Sequence, residues 1–291
     1  MTLPYFQVDT RNEHLKTLAG KHGSLWNEFN QKVDVSWIYH DHGLEGVVLL
    51  PNEISAALNN KVISDSSFLP MYHEIKNLSE AIQAIRGQKE KNRRERLSKS
   101  FLQSCYDLLI RRVRGVPEGN GIRKEDGRYG AYYHKSCPHQ EVEAQLKKLF
   151  SEINSASTED IHPMALTARF HHRFMQIMPY GRFSGKLARL FSALLLMRYD
   201  YPPAIIHSVE RARYYECLMK PDESDLLVLL SESVKVTVES GLQFIERGVL
   251  ERRRKREARK KAAAQKKETS GTKGTRVIRT QKVQQARKRA R

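Results

Sequence analysis

Behind Ser184-Gly185-Lys186 the apolar residues Leu187, Leu190, Phe191, Leu194 and Leu195 return every three or four positions, the spacing of a helix that buries one face. The same period runs through residues 53–58, 71–86, 101–113, 141–154 and 225–247. A chain patterned this way predicts a mainly α fold. Its one expected non-helical insertion is residues 115–138, rich in Gly and carrying Tyr129, Tyr132 and Tyr133. With 291 residues, 40% of them hydrophobic, there is enough material for one large or two modest domains around a real core. No apolar run approaches the roughly 20 residues that span a bilayer. The first nine residues lack the charged start and apolar stretch of a signal peptide, so a cytoplasmic protein is expected. Cys105, Cys137 and Cys217 are odd in number and show no metal-ligand spacing, which predicts buried thiols in a reducing compartment, with no disulfide and no zinc.

Charge is distributed unevenly. From Arg247 to the end there are 19 Lys or Arg against three Glu, which is +16 of the chain's formal +18. Residues 251–264 are rich in Arg, Lys, Ala and Glu and can extend a helix, whereas residues 269–275 read as a break, and so few apolar anchors predict a flexible tail. Nucleic-acid phosphates would attract it with steep salt dependence, as would an anionic membrane or an acidic protein. Simple solvation is the competing reading. The tail contains no aromatic side chain for base stacking, so it offers no means of selecting a single-stranded sequence.

The loop ahead of the Leu187 helix reads Met178-Pro179-Tyr180-Gly181-Arg182-Phe183-Ser184-Gly185-Lys186-Leu187-Ala188-Arg189. It resembles the signature of the Fic/Doc (Fido) domain family of protein adenylyltransferase-like proteins, His-Pro-Phe-x-Asp/Glu-Gly-Asn-Gly-Lys/Arg-x-x-Arg. Pro179, Gly185, Lys186 and Arg189 match and Tyr180 replaces Phe conservatively. Met178 stands at the catalytic His, Arg182 at the metal-binding acid, Phe183 at a Gly and Ser184 at the Asn, so the motif is degenerate. The resemblance extends upstream to His162-Pro163, Ala165, Ala168 and His171 to Phe174, and downstream to Leu190-Phe191, Leu194 to Leu196, Tyr201-Pro202-Pro203 and Tyr214-Tyr215. Leu44-Glu45-Gly46 resembles the family's inhibitory segment, and Gly121-Ile122-Arg123 the start of its hairpin flap. Together these span about residues 35 to 245, far more than one short motif.

The resemblance implies a helical bundle with a short β-hairpin flap and a basic tail. It divides the chain into an N-terminal helical region with an inhibitory segment (1–115), the core (116–246) and the tail (247–291). In the family the motif His takes a proton from a target hydroxyl, which then attacks the nucleotide's α-phosphate. A general base needs a lone pair near the working pH, and the Met178 thioether has none. His171, His172 and His207 are the substitutes by residue type, although a helical His beside an apolar run is more often packed than catalytic. Mg²⁺ needs oxygen ligands, so no metal is expected at Arg182. That guanidinium either neutralises phosphate charge or lies solvated at the loop surface.

Ser184, Gly185, Lys186 and Arg189 remain suited to phosphate, because a helix start offers backbone N–H groups and Gly permits close approach. Glu45 is expected to pair with Arg189 and oppose nucleotide binding, although Asp41 stands where the family prefers Ser or Thr. His162-Pro163 starts a helix, with Asp160 or Thr158 as its cap.

Two readings follow. One is a Fic-type protein that binds ATP or another nucleotide with AMP transfer lost or altered, docking a protein target at the flap near Tyr129–Tyr133 by strand addition. If active, it would transfer AMP or another phosphoryl-containing group to protein hydroxyls. The other is a non-enzymatic scaffold that binds nucleic acid or an acidic partner through its tail.

Overall fold

The computed structural model describes residues 5–61, 66–91, 97–113, 115–116, 121–126, 136–156 and 161–289. Ten α-helices occur among them. They are α1 (Phe6–Lys21), α2 (Gly23–Leu44), α3 (Pro51–Leu58), α4 (Leu69–Lys91), α5 (Lys99–Ile110), α6 (Val142–Ser155), α7 (Pro163–Ile177), α8 (Ser184–Arg198), α9 (Arg211–Met219) and α10 (Ser224–Arg289). The five periodic segments of the sequence correspond to α3, α4, α5, α6 and the first part of α10. No strand forms among the described residues, and one isolated antiparallel bridge joins Ile122 to Tyr180. Most of the expected hairpin flap, including Tyr129, Tyr132 and Tyr133, lies outside the described residues.

The chain divides into two compact units, Met1–Leu242 and Gln243–Arg291. In the first, α8 is the central element. Ser184 and every residue from Lys186 to Met197 are buried, so α8 is enclosed on all sides, as an interior helix of a bundle must be. Its neighbours are α7, α4 and α5, with α7 the most extensive pairing. Phe170 on α7 and Phe191 on α8 stack with ring centroids 6.2 Å apart, and Leu226, Leu229, Leu230, Val234 and Val238 bury the inner face of α10.

Local chemistry sets the ends of the two central helices. The His162 Nδ1 accepts from the Met164 backbone N–H at 3.2 Å, so His162 caps α7, with Pro163 in the first turn where its missing N–H costs nothing. The expectation of Asp160 or Thr158 as the cap is thereby corrected; both lie outside the described residues. A ring nitrogen with a free lone pair performs the task usually given to Ser or Asp.

The second unit holds the remainder of α10, which is helical to Arg289. The break expected at residues 269–275 is absent. Gly271 and Gly274 each cost about 1 kcal/mol relative to Ala, and the Lys, Arg, Gln and Ala on either side are good helix formers. From Glu251 to Ala262 every side chain is exposed, including eight Lys and Arg. Among the described residues, no helix is long and apolar enough to cross a membrane.

Candidate active site

The loop between α7 and α8 is bracketed by two non-glycine residues in the left-handed region, Met178 (φ 44°) at the end of α7 and Phe183 (φ 69°) at the start of α8. Such positions cost about 1–2 kcal/mol each and persist only where the surroundings hold them. Several contacts do so here. The Ser184 hydroxyl donates to the Tyr180 carbonyl at 2.9 Å and accepts from the Tyr180 N–H at 3.0 Å, closing the loop on itself. The Tyr180 ring stacks on Tyr106 at 4.0 Å.

Arg123 secures the other side. Its Nε donates to the Met178 carbonyl at 2.8 Å, its Nη2 to the carbonyls of Ile177 (3.2 Å) and Cys137, and its backbone N–H to the Pro179 carbonyl at 2.9 Å. A buried guanidinium thus meets the negative end of α7 and ties both ends of the 121–137 segment to the loop. Arg182 leaves this cluster, donating to Glu74 on α4 at 2.5 Å, with its guanidinium 4.8 Å from the Phe183 ring.

At the start of α8, Lys186 and Arg189 are one turn apart and both buried. They converge on Asp41 of α2. Lys186 Nζ donates to Asp41 Oδ2 at 2.8 Å and Arg189 Nε to Asp41 Oδ1. Arg189 Nη2 donates to Glu45 Oε1 at 2.6 Å. Two cations therefore face two carboxylates, and the cluster is neutral. Burial alone would raise the Asp41 pKa, but the charges of Arg189 and Lys186 outweigh it and hold that carboxyl well below the usual carboxylate range. Arg189 is likewise held charged, since Asp41 and Glu45 outweigh its desolvation.

Gly185 explains the local fit, because a Cβ there would lie 2.8 Å from Glu45 Oε1. The space that glycine opens at the helix start receives a carboxylate oxygen of the chain itself. Those residues meet an acidic oxygen of the chain at the start of α8.

Comparison with known proteins decides what this loop is. The Fic/DOC family model matches residues 96–196. Protein adenylyltransferase Fic of Aedes aegypti is 24% identical over 225 residues, 76% of this chain and 43% of that protein. The Drosophila melanogaster protein of the same name is 26% identical over 224 residues, 75% of this chain and 43% of its own length. Residues 96–196 are a Fic/DOC domain. The chain spans less than half the length of the curated relatives it matches. Among solved structures, a Fic domain containing signaling protein from Bacteroides thetaiotaomicron aligns with a TM-score of 0.67 at 20% identity, covering 80% of this chain and 96% of that one. Fic-1 from C. elegans aligns at 0.70 and 20% identity, covering 82% and 73%. These likenesses establish the fold.

In the Fic domain, Met178 is buried and Ser184 spends its hydroxyl on Tyr180. His171 lies in a directional hydrogen-bond chain. Ser192 donates to the Ala188 carbonyl (2.7 Å), so His171 Nδ1–H donates to Ser192 Oγ (2.9 Å) and Nε2 accepts from the Tyr214 hydroxyl (2.8 Å). The Tyr214 oxygen in turn accepts from Arg189 Nη1 at 3.5 Å. Burial, with Arg189 nearby, lowers the His171 pKa to about 3, so the ring is neutral and both nitrogens are engaged. His172 Nε2 donates to the Lys220 carbonyl at 3.1 Å, and His207 stacks on His40 at 4.2 Å. None of the three reaches the loop as a base.

His42 carries no signal in the sequence that singles it out. Its Nδ1–H donates to the Ile38 carbonyl at 2.8 Å, and its buried Nε2 has no partner among the described residues. Burial, then the Lys186 charge, lowers its pKa to about 3. Asp41 was likewise visible only as a departure from the family's Ser or Thr. Its signal lay in the spacing, because Asp41 and Glu45 are one helical turn apart, as are Lys186 and Arg189. Among the described residues no group of three or more His, Cys, Asp or Glu is arranged to hold a metal. Cys105 and Cys217 are buried free thiols, whereas Cys137 is half-exposed beside Arg123.

Proposed function

We propose that this chain is a Fic-domain protein that keeps the phosphate frame at the start of α8, fills it with its own carboxylates Asp41 and Glu45, and does not run AMP transfer through position 178. The supporting observation is the quartet itself, in which the buried Lys186 and Arg189 pair with the buried Asp41 and the partly exposed Glu45. A nucleotide phosphate bound here would take over the oxygen positions that Glu45 now supplies to Arg189, while Asp41 keeps Lys186 and Arg189 in place. Position 178 adds no base, and Arg182, held by Glu74, offers no metal ligand.

Replacing Lys186 and Arg189 together is a poor test, because it strands Asp41 in the interior at a cost of roughly 3–5 kcal/mol. Glu45 is the better target, being partly exposed. ATP is titrated calorimetrically, with and without Mg²⁺, into the wild type and Glu45→Ala at raised salt, where attraction to the exposed basic residues is screened. The expected result is at least tenfold tighter binding by Glu45→Ala, indifferent to Mg²⁺, with no labelled AMP passed to protein by either form. Equal affinities, or AMP transfer by the wild type, overturn the reading.

Two partner proposals accompany it. The bridge between Ile122 and Tyr180 and the Arg123 N–H bond to Pro179 set extended backbone against the motif loop, which supports docking of an extended protein segment along residues 115–138. The eight exposed cations between Arg252 and Lys261 support the scaffold reading, in which α10 holds nucleic-acid phosphates. Retention of duplex DNA or RNA that survives deletion of residues 247–291 would falsify that second proposal.

A further inference from the structure

In the second unit, residues 251–262 of α10 are all exposed and hold eight Lys and Arg against two Glu. How those cations are placed around the helix narrows the partner more than their number does. At about 100° per residue, Arg252, Lys255 and Arg259 fall on one flank, Arg254 and Lys261 on the other, and Arg253, Arg256 and Lys260 on the side between them. The remaining side carries no cation. Glu251, Ala258 and Ala262 share it, at spacings of seven and four residues. Glu257 stands among the cations and pairs with Arg253 at 3.1 Å.

A helix that lies on a membrane needs an apolar face opposite its cations, and the only apolar side chains in this stretch are Ala258 and Ala262. A single nucleic-acid strand is held largely by stacking on aromatic rings, and residues 247–291 contain none. The groove of a duplex presents phosphates on two walls and leaves one side open, which is the pattern of two basic flanks and one stripe without cations. A helix with its side chains is about 10–12 Å across and enters the major groove of B-form DNA, about 12 Å wide. The major groove of A-form RNA is too deep and narrow for side chains to read.

Like charges add a second argument. Arg252 and Arg256, Lys255 and Arg259, and Arg256 and Lys260 are each one turn apart, and such pairs weaken a helix that stands alone. Phosphates on both flanks remove that repulsion, so binding should strengthen this helix.

We propose that the exposed stretch of α10 lies in the major groove of B-form DNA, with Arg252, Lys255 and Arg259 on the phosphates of one wall and Arg254 and Lys261 on those of the other. The stripe of Glu251, Ala258 and Ala262 faces out of the groove. This rests on the scaffold reading, in which α10 holds nucleic-acid phosphates, and adds the form of the nucleic acid and the orientation of the helix in it.

The test is fluorescence anisotropy on the full chain with a labelled DNA duplex, an RNA duplex of the same sequence and the single DNA strand, each over a range of salt. The DNA duplex should bind at least tenfold tighter than either other probe, with a log–log salt slope of about −4.5 to −7 for five to eight phosphates neutralised. Replacing either flank by Gln (Arg252→Gln, Lys255→Gln and Arg259→Gln together, or Arg254→Gln with Lys261→Gln) should lower affinity at least tenfold and make the slope shallower by about one per cation removed. Ala258→Gln with Ala262→Gln should leave affinity within twofold, because that stripe faces away from the DNA. Gln is a good helix former, so all these variants keep the helix. No binding of any nucleic acid overturns the scaffold reading and this proposal with it. Binding that is equal for duplex and single strand, or as tight for the RNA duplex, overturns the groove alone and leaves the scaffold reading standing. Loss confined to one flank also overturns it, and assigns α10 to a flat anionic surface.

Discussion

Replacing Asp41 by Asn removes one buried charge from the quartet of Asp41, Glu45, Lys186 and Arg189, and almost no volume. In the folded chain Asp41 is flanked by Lys186 Nζ at 2.8 Å and by Arg189 Nε, all three side chains buried. Breaking a buried ion pair from one side costs roughly 3–5 kcal/mol, because the partner charges remain in the interior unneutralised. For a unit the size of Met1–Leu242 each kcal/mol shifts the melting temperature by about 2–4 °C, so Asp41→Asn should melt some 6–20 °C lower. An anion should reverse part of this loss. If inorganic phosphate pairs with the uncompensated Lys186 and Arg189 from the Glu45 side, with a dissociation constant of about 1 mM, 20 mM phosphate restores about 1.8 kcal/mol by mass action.

The wild type, already neutral there, should gain far less. Acid dependence gives the same argument in another form. The folded Asp41 pKa is depressed, so its stabilisation is present above the unfolded value near 4 and is lost as pH falls below it, and Asp41→Asn lacks that dependence. Differential scanning calorimetry of both forms, with phosphate and with an equal ionic strength of chloride, reads all of this. Equal melting temperatures, or equal stabilisation of the two forms by phosphate, would refute the idea that Asp41 occupies an anion position.

Three further perturbations test other parts of the structure. His171 and His42 both have folded pKa values lowered to about 3, so the unfolded chain binds more protons below pH 6.5 and stability drains as pH falls from there towards 3. Urea unfolding across that range should lose roughly 1.4 kcal/mol per pH unit per histidine, and a flat profile between pH 6 and 4 sinks the assignment of neutral buried rings. Arg123→Met removes the guanidinium from four carbonyls and should destabilise by about 2–4 kcal/mol, with hydrogen exchange speeding at Met178 and Tyr180 before α8. Gly121→Ala places a Cβ 2.1 Å from the Tyr106 ring at a φ of 53°, so the Tyr106–Tyr180 stack must shift; a stability within 0.5 kcal/mol of wild type contradicts that geometry.

The helices were legible because their apolar spacing is a local property: Leu187 to Leu195 announce α8, and the loop ahead of it carries enough of its motif to name the domain. What the sequence left open was pairing across long separations. Asp41 and Lys186 stand 145 positions apart, and only the packing of α2 on the rest of the bundle makes that acid the partner of both cations. A reader of the sequence sees Lys186 and Arg189 and infers free charge for a phosphate; the fold shows that charge already met. Arg182 was open between phosphate and solvent for the same reason, and its partner Glu74 belongs to another helix. The His162 cap was missed because capping statistics favour short oxygen side chains, and a ring nitrogen does the same work only when its tautomer and rotamer are fixed, here by the Asp9 carboxylate 3.4 Å from Nε2 and by stacking on Tyr5 at 3.7 Å.

Phe183 keeps a backbone angle of 69° at the position where the Fic signature has glycine. The large side chain is buried, so a left-handed turn is held here without the glycine that makes one easy. Reverting Phe183 to Gly therefore asks for no movement of the main chain, and it releases backbone strain while giving up apolar contact. The turn at residue 183 is thus set by how its ring packs and not by the freedom of its own backbone, so trimming that ring changes the loop's stability before it changes the loop's path.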